Sequence, residues 1–253
     1  MKSILTAAFL LILPFAGIAQ HTQTNRGNQQ WLQHYASFGI TERVHVGVDG
    51  GFRTSNWFQN PAAYIVRAGV QYNVHPRWRV GAGFAHSGTF VDNELYRLEY
   101  RPHQEVVANH EFSNVELTNR LRIEERVQRV LFNDSLVPFL ARVRFKFQVM
   151  APVLALSKAH PERQLFIVLA DEFLLNAGKI LKHNILDQNR MMVGPAFRVS
   201  EKLDIALLYN YIFGTTVKPN VFTQEHVLWL TFSHRFSFWK EKETPSSIRS
   251  LGE

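Results

Sequence analysis

Twelve charged residues recur at every second position in short, separated stretches: Arg67, Arg79, Glu99, Arg101, Arg120, Arg122, Glu124, Arg126, Arg142, Arg144, Glu172 and Arg190. Arginine and carboxylate form bidentate, charge-assisted pairs, and on neighbouring strands such residues stand opposite one another. A ladder of this kind supports two kinds of chemistry. Fully paired, it is a structural plug that fills a narrow lumen. With guanidinium groups to spare, it is a ring of arginines that prefers anions.

Other chemistries find less support. Ser87 follows His86, and His234 follows Ser233, which raises a Ser–His hydrolase acting on outer-membrane lipid as an alternative. Adjacent residues on a strand point to opposite faces, so neither pair bonds easily within itself, and G-x-S-x-G is absent from the sequence. The eleven His are scattered, with His103/His110 and His226/His234 the nearest approaches. No metal-ligand spacing results, so no metal or other cofactor is expected. Gly81 and Gly83 form a lone G-x-G inside a strand, better read as close packing than as a phosphate loop. Cysteine is absent, which excludes disulfides, thiolate metal sites and lipid attachment through an N-terminal Cys.

The elements that must hold the ladder have period two. In FLARVRFKFQV, residues 139–149, the odd positions are all apolar, and Arg142, Arg144, Lys146 and Gln148 fall on the even ones. Comparable stretches lie at about 31–40, 43–53, 62–73, 77–88, 95–107, 115–127, 164–174, 187–199, 203–213 and 228–238. Turn-like residues separate them, such as Asn60-Pro61, His75-Pro76 and Lys218-Pro219-Asn220. The stretch 118–130 has a helical alternative, with Ser113 and Glu116 as a capping box and Arg120–Glu124 as an i,i+4 pair. Alternation of Leu121 and Ile123 with the charges, and strands on both sides, favour a strand. Glu125 falls on the apolar parity, which places it at a membrane edge.

The ends suggest export. Lys2, the apolar run Ile4–Phe15 and the small residues Gly17-Ile18-Ala19 have the layout of a signal peptide, with cleavage between Ala19 and Gln20. The expected organisation is a signal peptide at 1–19, one barrel domain at 20–239 and a polar tail at 240–253. Loss of Lys2 lowers the formal charge of +7 by one. A basic balance can mean nucleic acid, but in an exported chain, with the charges interleaved with aliphatics inside strands, no nucleic-acid partner is expected.

Strands of about ten residues match a tilted crossing of the hydrocarbon core. Trp31, Trp57, Tyr64, Tyr72, Trp78, Tyr96, Tyr209 and Trp239 sit near segment ends, as an interfacial girdle would. Connections read alternately short (41–43, 74–77, 108–114, 200–202) and longer (54–61, 89–95, 128–136, 175–186, 214–223), with 150–163 the exception. The fold expected is an all-β antiparallel transmembrane barrel of 10–12 strands. Single-chain bacterial barrels carry even numbers, and a further strand around 20–30 would favour twelve.

The chain resembles an uncharacterised, domain-of-unknown-function family of Gram-negative outer-membrane barrels. The matching pieces are Glu99-x-Arg101, the charged run of residues 119–126, Arg142-x-Arg144, Glu172-Phe173 with Asn176, and Asp187-Gln188-Asn189-Arg190 followed by Gly194. The resemblance implies a location in the outer membrane and no established activity. Expected partners are therefore the lipid bilayer with its lipopolysaccharide, the barrel-assembly machinery that reads the aromatic finish Phe236, Phe238 and Trp239, and a small solute or ion. A soluble periplasmic lipid-binding barrel is the remaining reading.

Overall fold

The computed structural model describes residues 23–177, 185–216 and 218–239. The expected signal peptide (1–19) and polar tail (240–253) lie outside these residues. Eleven strands follow one another: β1 (Gln23–Gly39), β2 (Val44–Ser55), β3 (Asn60–His75), β4 (Trp78–Val91), β5 (Glu94–Phe112), β6 (Val115–Val130), β7 (Ser135–Ala155), β8 (Gln164–Ala177), β9 (Leu186–Ser200), β10 (Leu203–Thr215) and β11 (Val221–Ser237). Each pairs antiparallel with its sequence neighbour, and β1 closes the barrel against β11 in parallel. Every hairpin reverses the chain, so an odd number of strands leaves one seam where the partners run the same way. The count lies inside the expected range. The residues around 20–30 that suggested a further strand belong, from Gln23, to β1 itself, which is 17 residues long.

The register fixes the shape. From Trp31 it runs through Arg53, Ala63, Thr89 and Arg97 to Val130. In the other sense it runs through Trp229 and Leu208, and then from Gly194 through Val168 and Met150 to Glu116. The two paths meet β6 at 130 and 116, a stagger of 14 residues, which corresponds to strands tilted by roughly 40°.

Strand ends differ from the sequence reading. The contrast between short and long connections largely vanishes, because β5 and β7 extend to 19 and 21 residues and absorb what looked like loop. Asp92 and Asn93, with φ of 52° and 66°, make a two-residue type I′ hairpin where a longer loop was expected. Ser113, at φ 60°, sits in a two-residue turn rather than at a helix start. The stretch at 156–163 remains an eight-residue connection between β7 and β8.

Side chains divide by parity. Leu32, Val48, Val66, Val70, Phe84, Leu121, Ile123, Leu169, Val193, Leu207 and Leu228 face outward and are exposed. Inward positions are charged over β5–β9, with an apolar cluster of Met150, Phe166, Val168, Ala196, Ala206 and Leu208 packed beside Trp229. Where strands approach closely, only glycine fits. A Cβ on Gly194 would collide with the Leu207 carbonyl oxygen and reach the Leu208 Cα at 2.9 Å. One on Gly83 would meet the Ala68 carbonyl oxygen at 2.6 Å and the His103 ring at 2.7 Å. Gly194→Ala is therefore expected to cost about 1–3 kcal/mol through backbone overpacking. The check is a lower yield of the compact, heat-modifiable form on refolding, compared with an Ala substitution at the uncrowded Gly47.

Candidate functional site

The charged parity of β5–β9 converges on one network inside the barrel. Strand pairing places like charges opposite one another, Arg122 against Arg144 and Arg120 against Lys146, which on its own destabilises a sheet. Carboxylates resolve the conflict: Glu124 stands opposite Arg142, Glu172 opposite Lys146, and both reach Arg144 diagonally. Glu124 accepts from Arg142 at 2.6 Å and Arg144 at 2.7 Å, with Arg101 at 3.6 Å. Glu172 accepts from Arg144 and Arg120, both at 2.8 Å. Glu99 accepts from Arg126 at 2.5 Å and lies 3.2 Å from Arg101. Separate pairs join Arg122 to Glu105 at 2.6 Å and Arg67 to Asp49 at 2.9 Å. Arg120, Arg122, Glu124, Arg142, Arg144 and Glu172 are buried. Such groups stay charged inside a protein only when paired and hydrogen-bonded.

Eleven of the twelve ladder residues thus meet or border one another, and the twelfth, Arg79, lines the cavity toward the other end of the lumen together with Arg67 and Arg122. Of the remaining motif residues, Asp187 joins the network, accepting from Arg142 at 2.9 Å and from the Asn176 side chain. Its parity with Asn189 would send it outward, but a register shift beside Leu174 and Leu175 turns it in. Asn189 does face outward and donates to Asp171 at 2.6 Å. Gln188 accepts from Arg190 at 2.7 Å.

Sequence reading missed four contributors. Asp49 and Glu105 complete ion pairs, and both lie on the inward parity of their strands, a signal that was legible. Arg53 and Arg97 also project inward. The Arg53 guanidinium stacks 3.9 Å from the Trp31 ring centroid, and Arg190 approaches the same ring at 5.6 Å. Trp31 was expected in a girdle at a strand end. It lies mid-strand and buried, because β1 begins eight residues earlier. Trp239 likewise borders the lumen, whereas Trp78, Tyr72, Tyr96 and Tyr209 face outward as expected.

Two cavities flank the network. One, of about 180 Å³, opens toward the rim where β1 begins and is bordered by Trp31, Arg53, Arg97, Arg101, Arg120 and Arg190 among others. The other, of about 510 Å³, lies toward the opposite rim, bordered by His45, Arg79, His103, Glu105 and Glu116. Tyr35 and Arg67 border both and form the partition between them.

The suspected hydrolase residues do not come together. His86 bonds outward to the Tyr64 hydroxyl at 3.0 Å, while the Ser87 hydroxyl accepts from Arg101 inside the barrel at 3.0 Å. His234 bonds to His34 at 2.8 Å, on the face opposite to Ser233. Among the described residues no group of three or more potential metal ligands forms.

No curated protein matches the chain. Among solved structures, the NanC porin in a rhombohedral crystal form is 11% identical, covering 73% of this chain and 86% of the porin at a TM-score of 0.43. The siderophore receptor PirA from Pseudomonas aeruginosa is 14% identical, covering 70% of this chain and 32% of the receptor at a TM-score of 0.31. The family model for proteins of unknown function, DUF2490, matches residues 28–223, and the chain belongs to that family.

Proposed function

We propose that the protein is an outer-membrane barrel whose lumen is a narrow, anion-preferring conduit. One observation carries the reading: the inward charges do not balance. Nine arginines and Lys146 border the cavity near the first rim, against Glu99 and Glu172. Adding the adjoining Asp49, Glu124 and Asp187 still leaves positive charge in excess. A plug needs only neutrality, whereas surplus guanidinium in a low-dielectric lumen attracts anions and repels cations.

Placement in the membrane is supported by the exterior. A soluble lipid-binding barrel would turn its apolar face inward, but here the apolar face is outward and the charged one inward. On β6 the outward row runs through Leu121, Ile123, Glu125 and Val127 to Arg129, which pairs with Asp134 at 2.6 Å. The apolar row thus ends between Val127 and Arg129, and Glu125 stands one outward position inside that edge. We assign to the periplasm the rim with two-residue turns at 76–77, 113–114 and 201–202, although it also carries the connection at 156–163 and the opposite rim has one such turn at 92–93. The opposite rim is assigned to the lipopolysaccharide leaflet, and insertion to the barrel-assembly machinery.

Planar-bilayer recording across a potassium chloride gradient tests the conduit. The expected result is single-channel conductance with a reversal potential of the sign given by chloride preference. Absence of conductance from protein shown to be folded would leave the plug.

A further inference from the structure

The cavity near the first rim holds donors that the ionic network does not use. Arg120 is buried at 4% exposure, and its Nη2 serves Glu172, yet its Nε and Nη1 have no hydrogen-bond partner among the described residues. The Nε atoms of Arg53 and Arg97 are in the same position. Arg53 forms no ion pair among the described residues, and the Trp31 ring holds its guanidinium in place. Among the described residues the hydrogen-bond partner of Arg97 is the Gln128 amide oxygen, at 3.4 Å, and Arg190, which donates to Gln188, comes no closer than 3.9 Å to Glu172. A buried guanidinium N–H without an acceptor is costly.

From these orphan donors we infer that this cavity is a saturable binding site for a small multivalent oxyanion, of the phosphate or polycarboxylate class. The inference rests on the anion-preferring reading of the lumen and gives it a substrate class. Guanidinium forks match the paired oxygens of phosphate and carboxylate, a geometry that chloride cannot satisfy. Several arginines on different strands suit a ligand with several charged oxygens. A volume of about 180 Å³ suits a phosphate- or citrate-sized molecule rather than a polymer. Trp31 and Arg53 are then the specificity-setting wall, because the ring fixes a cation that no carboxylate of the described residues neutralises.

The test is titration of the folded, detergent-solubilised protein with inorganic phosphate and, separately, with citrate, read by calorimetry at constant ionic strength. Saturable binding of one or both is expected, surviving excess chloride. Arg53→Gln should weaken it about tenfold or more, Arg97→Gln should weaken it too, and Arg129→Gln on the outer surface should leave it unchanged. If Arg53→Gln fails to give the heat-modifiable form, Arg97→Gln and the unmodified protein decide the matter. No saturable response to either anion overturns the inference, as does binding indifferent to both substitutions. Anion-selective conductance without saturable binding would sink the site and leave the conduit. Saturable binding without conductance would do the reverse.

Discussion

Glu124→Gln is expected to destabilise the barrel by about 3–5 kcal/mol, the cost of stranding buried charges by removing their shared partner. Glu124 is 3% exposed and answers Arg142, Arg144 and Arg101 together. The neutral amide keeps the volume and one acceptor but leaves three guanidinium groups facing one another. Denaturant-induced loss of the heat-modifiable form in lipid vesicles would measure the effect. Removing a cation as well, in Glu124→Gln with Arg144→Met, should cost less than the sum of the single changes, because the two residues share a bond. Glu124→Gln alone should shift ion preference further toward anions, since it removes an inward negative charge and no positive one. A loss below about 0.5 kcal/mol, the range of ordinary surface changes, would mean that the network does not hold the barrel together.

The carboxylate's importance was partly legible in the sequence, for a geometric reason. Period two is a property of one strand, so Arg120, Arg122, Glu124 and Arg126 announced a shared face without any neighbour being known. The partners depend on register between strands, which no single strand states. Thus Glu172 serves both Arg120 and Arg144, and Asp187 enters through a local register shift. Strand boundaries were hidden for a related reason. Polar residues such as Gln23 to Gln30 break the alternation, yet pairing with β11 holds all of them in the ladder. The odd strand count follows from that extension, since it removes the separate strand that an even barrel needed. Arg53 escaped notice because it lies at the end of its alternating stretch, and only the register line through Trp31 reveals what it touches.

The orientation of the faces has its own decisive substitution. Leu121→Arg places a charge on the outward face, at 42% exposure, between Val106 on β5 and Phe145 on β7. On a water-soluble barrel such a change is worth within about 0.5 kcal/mol either way. In a bilayer the expected cost is about 2–4 kcal/mol near the midplane, falling to about 0–1 near the interfaces. Arg129→Leu, beyond Glu125 on the same outward row, is expected to be nearly neutral, losing only an exposed pair with Asp134. A steep penalty at 121 beside a flat response at 129 would locate the belt edge between them, in the stretch that holds Glu125 and Val127. Equal, small effects at both positions would place the outward face in water and with it remove the basis for a conduit, since an ionic lumen serves transport only across a barrier.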